Sequence, residues 1–368
     1  MSEDTVPRFG VVPASTRVSA ADRETILRNP GFGRYFTDHM ARAVWTRDAG
    51  WHDADVRAVE PLVLHPSAAV LHYAQEIFEG LKAYRQPDGS VALFRPDMNA
   101  ARFRRSAARL ALPELPVEMF LDSVEQLVRT DVDWVPDGSH EASLYLRPYA
   151  VATEAYLGVR PADEVFYGVI ASPAGAYFAA GSTGITLWVS TEFVRAAPGG
   201  TGAAKCGGNY AASLLPQVQA QEQGCDQVLY TVEVDGQTCI DESGTMNVFL
   251  VTKDGELVTP SLAGGTILSG VTRDSVLTLA KSFDLNPVER QVSLAEVLDG
   301  VADGTILEVF AAGTAAVITP ITGLKTADRA CTVADGSPGR LSEQLRQHIV
   351  DIQFGRRDDE HGWLHRVT

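Results

Sequence analysis

The chain has no long hydrophobic run. No stretch comes near the roughly 20 apolar residues that a membrane-crossing helix needs, so no span is expected. It opens on Ser2, Glu3 and Asp4 rather than on a basic region and an apolar core, so no secretory signal is expected either. Cysteine is scarce. Cys206, Cys225, Cys239 and Cys331 are the four in 368 residues, and no two form a CxxC pair. That excludes a disulfide framework, and a reducing, cytoplasmic setting is the expectation. Positive charge is also short: 31 Lys and Arg stand against 47 Asp and Glu, a formal charge of −16. Nucleic acid and anionic membranes are therefore not expected partners. No internal repeat or low-complexity tract is visible.

What is present is enough apolar residue, 45%, to bury sizeable cores, and a length that favours two domains. Strand and helix patterns mix throughout, so the expected class is α/β in the mixed α+β sense. A Ser, Pro, Gly and Ala-rich stretch, 172–184, reads as a linker between a smaller domain, 1–171, and a larger one, 185–368. In the first domain Leu62–Leu64, Val91–Phe94, Leu144–Arg147 and Val165–Ala171 read as extended. Asp97 is the expected cap of a helix running to about Leu112. Phe120, Val124, Leu127 and Val128 recur with helical period in a second helix from Val117. In the second domain strands are expected at 185–190, 227–234, 248–251, 256–258, 306–310 and 316–319. Lys253-Asp254-Gly255 marks a hairpin. Helices are expected after Gly270, after the capping pair Ser293 and Glu296, and from Ser342 to about Phe354, with Gly355 as its stop.

The most informative segment runs from Pro198 to Tyr210, where one lysine, Lys205, sits among glycines and small residues. A lone lysine is usually a solvated surface group, but glycines let backbone approach a ligand closely. A Walker phosphate loop needs Ser or Thr after the lysine, and Cys206 stands there. The dinucleotide fingerprint fails as well, because Lys205 takes the place of its third glycine. A lysine that attacks a carbonyl fits better, since its amine must be neutral and a desolvated pocket favours that form. Asp241 to Asn247 is a polar turn after a strand, or the source of a carboxylate, Glu242, for a pyridine nitrogen. Gly265 to Arg273 opens a helix whose first N–H groups could take a phosphate, or is an ordinary loop. Ala312 to Ala315 is a turn between strands, or a second set of anion donors. Arg102, Arg104, Arg105 and Arg109 share a helix. Such a run is usually solvated, though one member could turn inward. His361 and His365 lie in an acidic tail with nothing to complete a metal site, so no metal is expected.

Taken together these segments resemble the branched-chain amino acid aminotransferases, of the fold-type IV class of pyridoxal-phosphate enzymes. The resemblance runs from about Phe32 to the last helix. It rests on Thr37-Asp38-His39-Met40, the run from Leu71 to Tyr84, Tyr145-Leu146-Arg147-Pro148, the lysine segment, Glu242 to Asn247, and Gly270 to Arg273. It implies a two-domain fold with pyridoxal 5′-phosphate between the domains. It implies Lys205 as the Schiff-base lysine and proton shuttle, Tyr210 on the cofactor's ring oxygen, and Glu242 on the pyridine nitrogen. Arg102, Val271, Thr272 and Thr314 would hold the phosphate. Phe32, Tyr73, Phe78, Tyr145 and Thr245 would form the substrate pocket, and Thr314 and Ala315 would meet the α-carboxylate. Arg147 with Tyr145 would hold the distal carboxylate of glutamate. An aromatic-walled slot suits leucine, isoleucine and valine, and polar groups at its far end let glutamate share it. Simple core packing is the competing reading for Tyr73, Phe78 and Tyr145.

The resemblance further implies a ping-pong exchange of amino groups between branched-chain amino acids and 2-oxoglutarate. It implies a homodimer in which Tyr73 serves the neighbouring subunit's site. Some eukaryotic members carry a CxxC pair just after the position of Thr314. Ala315-Ala316-Val317-Ile318 stands here, so that thiol control is not expected. Within the same class, a D-amino-acid aminotransferase and an aminodeoxychorismate lyase are the rivals. A non-catalytic binding protein is the rival from another class. The preference among the three branched-chain amino acids, the direction used in the cell and any regulation stay open.

Overall fold

The computed structural model describes residues 6–175 and 184–368. It divides into two compact units. The first takes residues up to 175, with Ala204–Gly207 and Asp351–Thr368; the second takes 184–203 and Gly208–Val350. Lys205, expected within 185–368, thus groups with the first unit. So does the C-terminal tail. The expected linker 172–184 begins inside a strand that continues to Ala174, and its residues 176–183 lie outside the described ones.

In the first unit the strands are β1 (Gly10–Val11), β2 (His39–Thr46), β3 (Gly50–Ala58), β4 (Glu76–Phe78), β5 (Leu81–Arg85), β6 (Val91–Phe94), β7 (Ser143–Ala152) and β8 (Glu164–Ala174). Its helices are α1 (Ala20–Arg28), α2 (Ala69–Tyr73), α3 (Pro96–Arg109) and α4 (Val117–Thr130). The sheet order is β1-β3-β2-β8-β7-β5-β6, ending on a strand from the tail, with β4 pairing β7.

The side chains of β7 alternate as a strand's must. Leu144, Leu146 and Ala150 join the core formed with Phe103 of α3 and Phe120, Val124 and Leu127 of α4. Tyr145, Arg147 and Tyr149 take the other face. Register extends that face, because Phe78 pairs with Tyr149 and Lys82 pairs with Tyr145. Burying each large apolar side chain of the core contributes about 1.5–3 kcal/mol. One amphipathic period in α4 is therefore enough to anchor the helix.

The expected cap at Asp97 is displaced. Pro96 takes the first helical position, where its fixed φ suits the helix and its missing N–H costs nothing, and Arg95 precedes it. Asp97 falls in the first turn instead. The helix ends at Arg109, short of Leu112. Leu62–Leu64 form no strand, and Val63 is 91% exposed. β2 and β3 were not anticipated, because charged residues such as Arg42, Asp53, Asp55 and Arg57 blur their alternation.

In the second unit the strands are β9 (Ile185–Ser190), β10 (Gln227–Val234), β11 (Gln237–Ser243), β12 (Met246–Thr252), β13 (Glu256–Pro260), β14 (Asn286–Arg290), β15 (Ile306–Gly313), β16 (Val317–Lys325) and β17 (Ala330–Thr332). Its sheet runs β11-β10-β9-β16-β15-β12-β13-β14, and β11 also pairs β12. That last pairing closes six of the strands into a ring. The helices are α5 (Gly207–Ala211), which begins in the first unit's segment, then α6 (Leu214–Glu222), α7 (Val271–Leu279), α8 (Leu294–Asp303) and α9 (Arg340–Gln353). The hairpin through Lys253-Asp254-Gly255 joins β12 to β13 as expected. Ser293 caps α8 by accepting the Glu296 N–H at 3.1 Å. The Glu296 carboxylate turns to Arg290 instead of completing the box. Glu308 of β15 accepts the Leu341 and Ser342 N–H groups, each at 2.8 Å, and so caps α9. Gly355 ends α9 with φ +63°, the left-handed conformation that glycine supplies without strain. The tail strand β18 (Leu364–Arg366) pairs β6, which returns the end of the chain to the first unit.

Candidate active site

In the first unit the strand face of Phe78, Tyr145 and Arg147 meets the lysine segment. The Phe78 N–H donates to the Lys205 carbonyl at 3.0 Å. The Lys205 N–H donates to Ser106 Oγ of α3 at 2.9 Å. Ala204 and Cys206 are buried on either side, so the lysine's backbone is clamped between a strand and a helix. Cys206 is a packing residue in that core. The half-buried Lys205 amine lies 4.9 Å from the centre of the Phe78 ring. Burial lowers its pKa and Arg102 lowers it further, while Glu79 opposes; the balance is a pKa of about 8.

Arg102 is the member of the arginine-rich helix that turns inward, and it is buried. Its Nε donates to Glu79 Oε1 at 2.6 Å and its Nη2 to Glu79 Oε2 at 2.8 Å. Arg104, two residues on, reaches out to Glu114. Ser106 stands one helical turn after Arg102, so one face of α3 carries both contacts.

The Arg147 guanidinium stacks 4.7 Å over the Phe78 ring and donates to Tyr145 Oη at 3.0 Å. Its Nε is buried and has no hydrogen-bond partner among the described residues. Phe32 meets Tyr145 edge-on at 5.1 Å. Gly80 is required beside them, since a Cβ there would strike the Tyr145 hydroxyl. Phe32, Phe78, Tyr145, Arg147 and Lys205 are thus brought together. Tyr73 stands apart, 41% exposed at the end of α2, with its hydroxyl on the Leu157 carbonyl.

In the second unit Glu242 is buried near the end of β11. Its Oε1 accepts the Leu268 N–H at 2.7 Å and Asn247 Nδ2 at 3.3 Å. The buried Arg195 sets its Nε 3.1 Å from Oε2. Arg195 is held in turn by the Gly202 and Thr266 carbonyls. The neighbouring Asp241 is pushed above the usual carboxylate range by burial, against the pull of its Thr266 bond and of Arg195. Thr266 Oγ1 donates to it at 2.6 Å. Val271 and Thr272 open α7 behind Gly270, which caps the helix without a side chain. A Cβ on Gly270 would collide with Asn247 Oδ1. Thr314 and Ala315 lie half-buried in the turn from β15 to β16. Tyr210 lies on α5, and Thr245 is exposed at the hairpin tip between β11 and β12.

The sequence reading missed Glu79, Ser106 and Arg195 as site residues. Glu79 sits inside the run from Leu71 to Tyr84 and could have been taken from it. Arg195 carries no local signal, because its partner lies far along the chain. The two terminal histidines have other contacts: His361 stacks on Trp363, and His365 meets Glu125 at 2.8 Å.

The first unit holds a lysine with a depressed pKa and a buried arginine, and the second holds a buried carboxylate and a helix start without a side-chain cap; each is a kind of group that a phosphorylated pyridine aldehyde needs. The amino-transferase class IV family model matches residues 76–324, which include Lys205, Glu242 and Thr314. This is an enzyme class of amino-group transfer. A branched-chain-amino-acid aminotransferase of Mycolicibacterium smegmatis is 52% identical over 363 residues, covering 98% of each chain. A probable one of Streptomyces coelicolor is 51% identical over 99% of this chain and 100% of its own. The solved branched-chain amino acid aminotransferase of Escherichia coli superposes with a TM-score of 0.73 at 28% identity, covering 89% of this chain and 100% of that one. The T.th. enzyme of the same name, solved with pyridoxamine 5′-phosphate, gives 0.71 at 28% identity, over 89% of this chain and 99% of its own. The chain belongs to the class IV amino-transferases, among its branched-chain-amino-acid aminotransferases.

Proposed function

We propose that the chain moves the amino group of L-leucine, L-isoleucine or L-valine to 2-oxoglutarate, giving the branched 2-oxo acid and L-glutamate in ping-pong order, with pyridoxal 5′-phosphate as cofactor. The observation that carries this reading is Lys205, a clamped, half-buried amine with a pKa of about 8. When bound, the cofactor supplies the aldehyde and the electron sink for the substrate's α-carbon. Lys205 tethers it between turnovers, and during turnover takes the proton from the α-carbon and returns it. Arg102, Val271, Thr272 and Thr314 hold the phosphate. Glu242 keeps a proton on the pyridine nitrogen, and Tyr210 bonds the ring oxygen. Phe32, Tyr73, Phe78, Tyr145 and Thr245 bound the side-chain slot, with Thr314 and Ala315 on the α-carboxylate. Arg147 takes the distal carboxylate of glutamate. Its buried Nε, without a hydrogen-bond partner among the described residues, supports this role, since a buried donor left unpaired is costly unless a ligand fills it.

The chain works as a homodimer in this reading. The support is a cluster of exposed apolar side chains near Tyr73: Leu71, Tyr156, Leu157 and Val159. A second copy covering Tyr73 would account for them. Sedimentation at a single dimeric mass is the expected result, and a monomer would remove Tyr73 from the pocket.

The experiment that tests the function is the visible spectrum of the purified protein before and after L-leucine alone. A bound-cofactor band that converts to the amine form is expected. A band indifferent to leucine but responsive to D-alanine would assign the chain to the D-amino-acid enzymes. No band after added cofactor would end the enzyme reading.

A further inference from the structure

Glu76 begins β4, and its side chain shares a face with that of Phe78, since alternate residues of a strand point the same way. Both are half-buried, while Ile77 between them is buried on the other face. Such neighbours stand about 6.6 Å apart along a strand. The Arg147 guanidinium lies 4.7 Å over the Phe78 ring, so Glu76 is the acid next to it on this face. Arg147 donates to Tyr145 Oη rather than to an acid. Glu76 Oε1 accepts the Gly207 N–H. A Cβ on residue 207 would strike that oxygen, so glycine is needed there. Burial pushes the Glu76 carboxyl up, while the Gly207 bond and the Arg147 charge pull it back.

We propose that Glu76 is a specificity-determining residue: its negative charge beside Arg147 weakens the slot's hold on a distal carboxylate relative to an apolar side chain. This rests on the reading of Arg147 as the partner of that carboxylate. In the proposed function one slot takes both kinds of side chain. A half-buried arginine with no acid nearby holds a carboxylate by charge-assisted hydrogen bonds that no apolar side chain can match. Glutamate and 2-oxoglutarate would then fill the slot and shut out leucine. An acid several ångströms away lowers the positive potential without taking a donor from the guanidinium. A direct ion pair would go too far, because it would use up donors that the substrate needs.

The Gly207 contact does not call for a charge. A glutamine oxygen accepts an N–H as a carboxylate does, and it is spared the cost of burying an ion. What only the carboxylate supplies is its field at Arg147. That field acts over a distance and needs neither side chain to hold the other in place.

The test measures inhibition of the holoenzyme by two non-reacting acids, glutarate and 4-methylpentanoate, which share one carboxylate end and differ in charge at the other. Glu76→Gln keeps the Gly207 acceptor and removes the charge. It should tighten glutarate by about 3- to 10-fold, the order for one charge several ångströms away near a protein surface. 4-Methylpentanoate should move by less than about 2-fold. Glu76→Ala drops the Gly207 bond as well and should shift the ratio of the two inhibition constants the same way. It also carries the test if Glu76→Gln does not fold. An unchanged ratio, or weaker glutarate, would overturn the proposal. A shift in Glu76→Ala but not in Glu76→Gln would assign the effect to the Gly207 bond and overturn it too. Arg147→Met in the otherwise unaltered protein should weaken glutarate. If it does not, the distal carboxylate lies elsewhere, and the reading of Arg147 fails together with this proposal. If it does, while Glu76→Gln changes nothing, only the role of Glu76 falls.

Discussion

Arg195 and Glu242 form a buried ion pair, with Nε 3.1 Å from Oε2, although the Nε–H does not align on the carboxylate as a hydrogen bond. Glu242 Oε1 accepts the Leu268 N–H and Asn247 Nδ2. Glu242 is therefore set in place by a cation, a main-chain donor and an amide, each from a different part of the second unit. Removing the cation alone leaves a buried carboxylate uncompensated. Arg195→Met should cost about 3–5 kcal/mol of stability at pH 7, read by urea unfolding. A loss under about 1 kcal/mol would put the pair on the level of an exposed surface bridge.

The pair also shows where sequence reading stops. Glu242 could be singled out in the sequence from the run Asp241 to Asn247, although it lies buried within β11 rather than in a turn after a strand. Arg195 could not. It reaches Glu242 only because β9 and β10 lie side by side, and that neighbourhood is tertiary. The same holds for Lys205. Glycines and alanines around it announced a special lysine, but its placement in the first unit follows from hydrogen bonds to Phe78 and Ser106, about a hundred residues or more earlier. Strands such as β9 and β10 were legible to the residue because both are runs of strand formers bounded by turns. β2 and β3 were not, since partly exposed charges interrupt their period.

Lys205 should titrate with a midpoint near pH 8 in the apoenzyme. At pH 7 about a tenth of such an amine is neutral, against roughly one part in 2,500 for an ordinary lysine of pKa about 10.4. Labelling by an amine reagent, followed by peptide mapping, should find Lys205 reacting half-maximally near pH 8 once access is normalised at high pH. A midpoint near 10 would mean that burial does not govern it. The sign for stability follows. Between about 8 and 10.4 the unfolded chain binds more protons at this residue than the folded one, so its contribution to stability rises with pH across that window. Below about 8 the cost of charging the half-buried amine is fully present.

Asp38 ties the N-terminal arm to the first unit. One oxygen accepts the Val18 N–H and the other Trp134 Nε1, each at 2.8 Å. His39 beside it accepts the Ala14 N–H at 2.9 Å and faces Asp131 at 2.6 Å. The Thr37 to Met40 stretch is thus a clasp. Asp38→Ala should free the arm and cost about 1–3 kcal/mol, since the Trp134 donor is left unsatisfied. Limited proteolysis should then cut before Ala20 much faster than in the unaltered protein. Unchanged cleavage would mean that His39 suffices.

In the proposed function, Arg147 would separate the two kinds of substrate that one slot accepts. Its guanidinium is stacked on Phe78 and bonded to Tyr145, so in that reading an apolar side chain would meet ring faces and a carboxylate would meet charge. Arg147→Met keeps the stacking volume and removes the charge. The lost charged hydrogen bonds are each worth about 1.5–3 kcal/mol. KM for 2-oxoglutarate and for glutamate should therefore rise on the order of 10- to 100-fold. kcat/KM for leucine should stay within about 5-fold, because so small a change in an apolar wall sits at the low end of the roughly 1–3 kcal/mol that a methylene is worth. Equal losses for both substrates would show that Arg147 supports the wall as a whole. A loss for leucine alone would place the distal carboxylate on another residue. Lys82 is the first to test, since it pairs with Tyr145 across β5 and β7 and so shares that face.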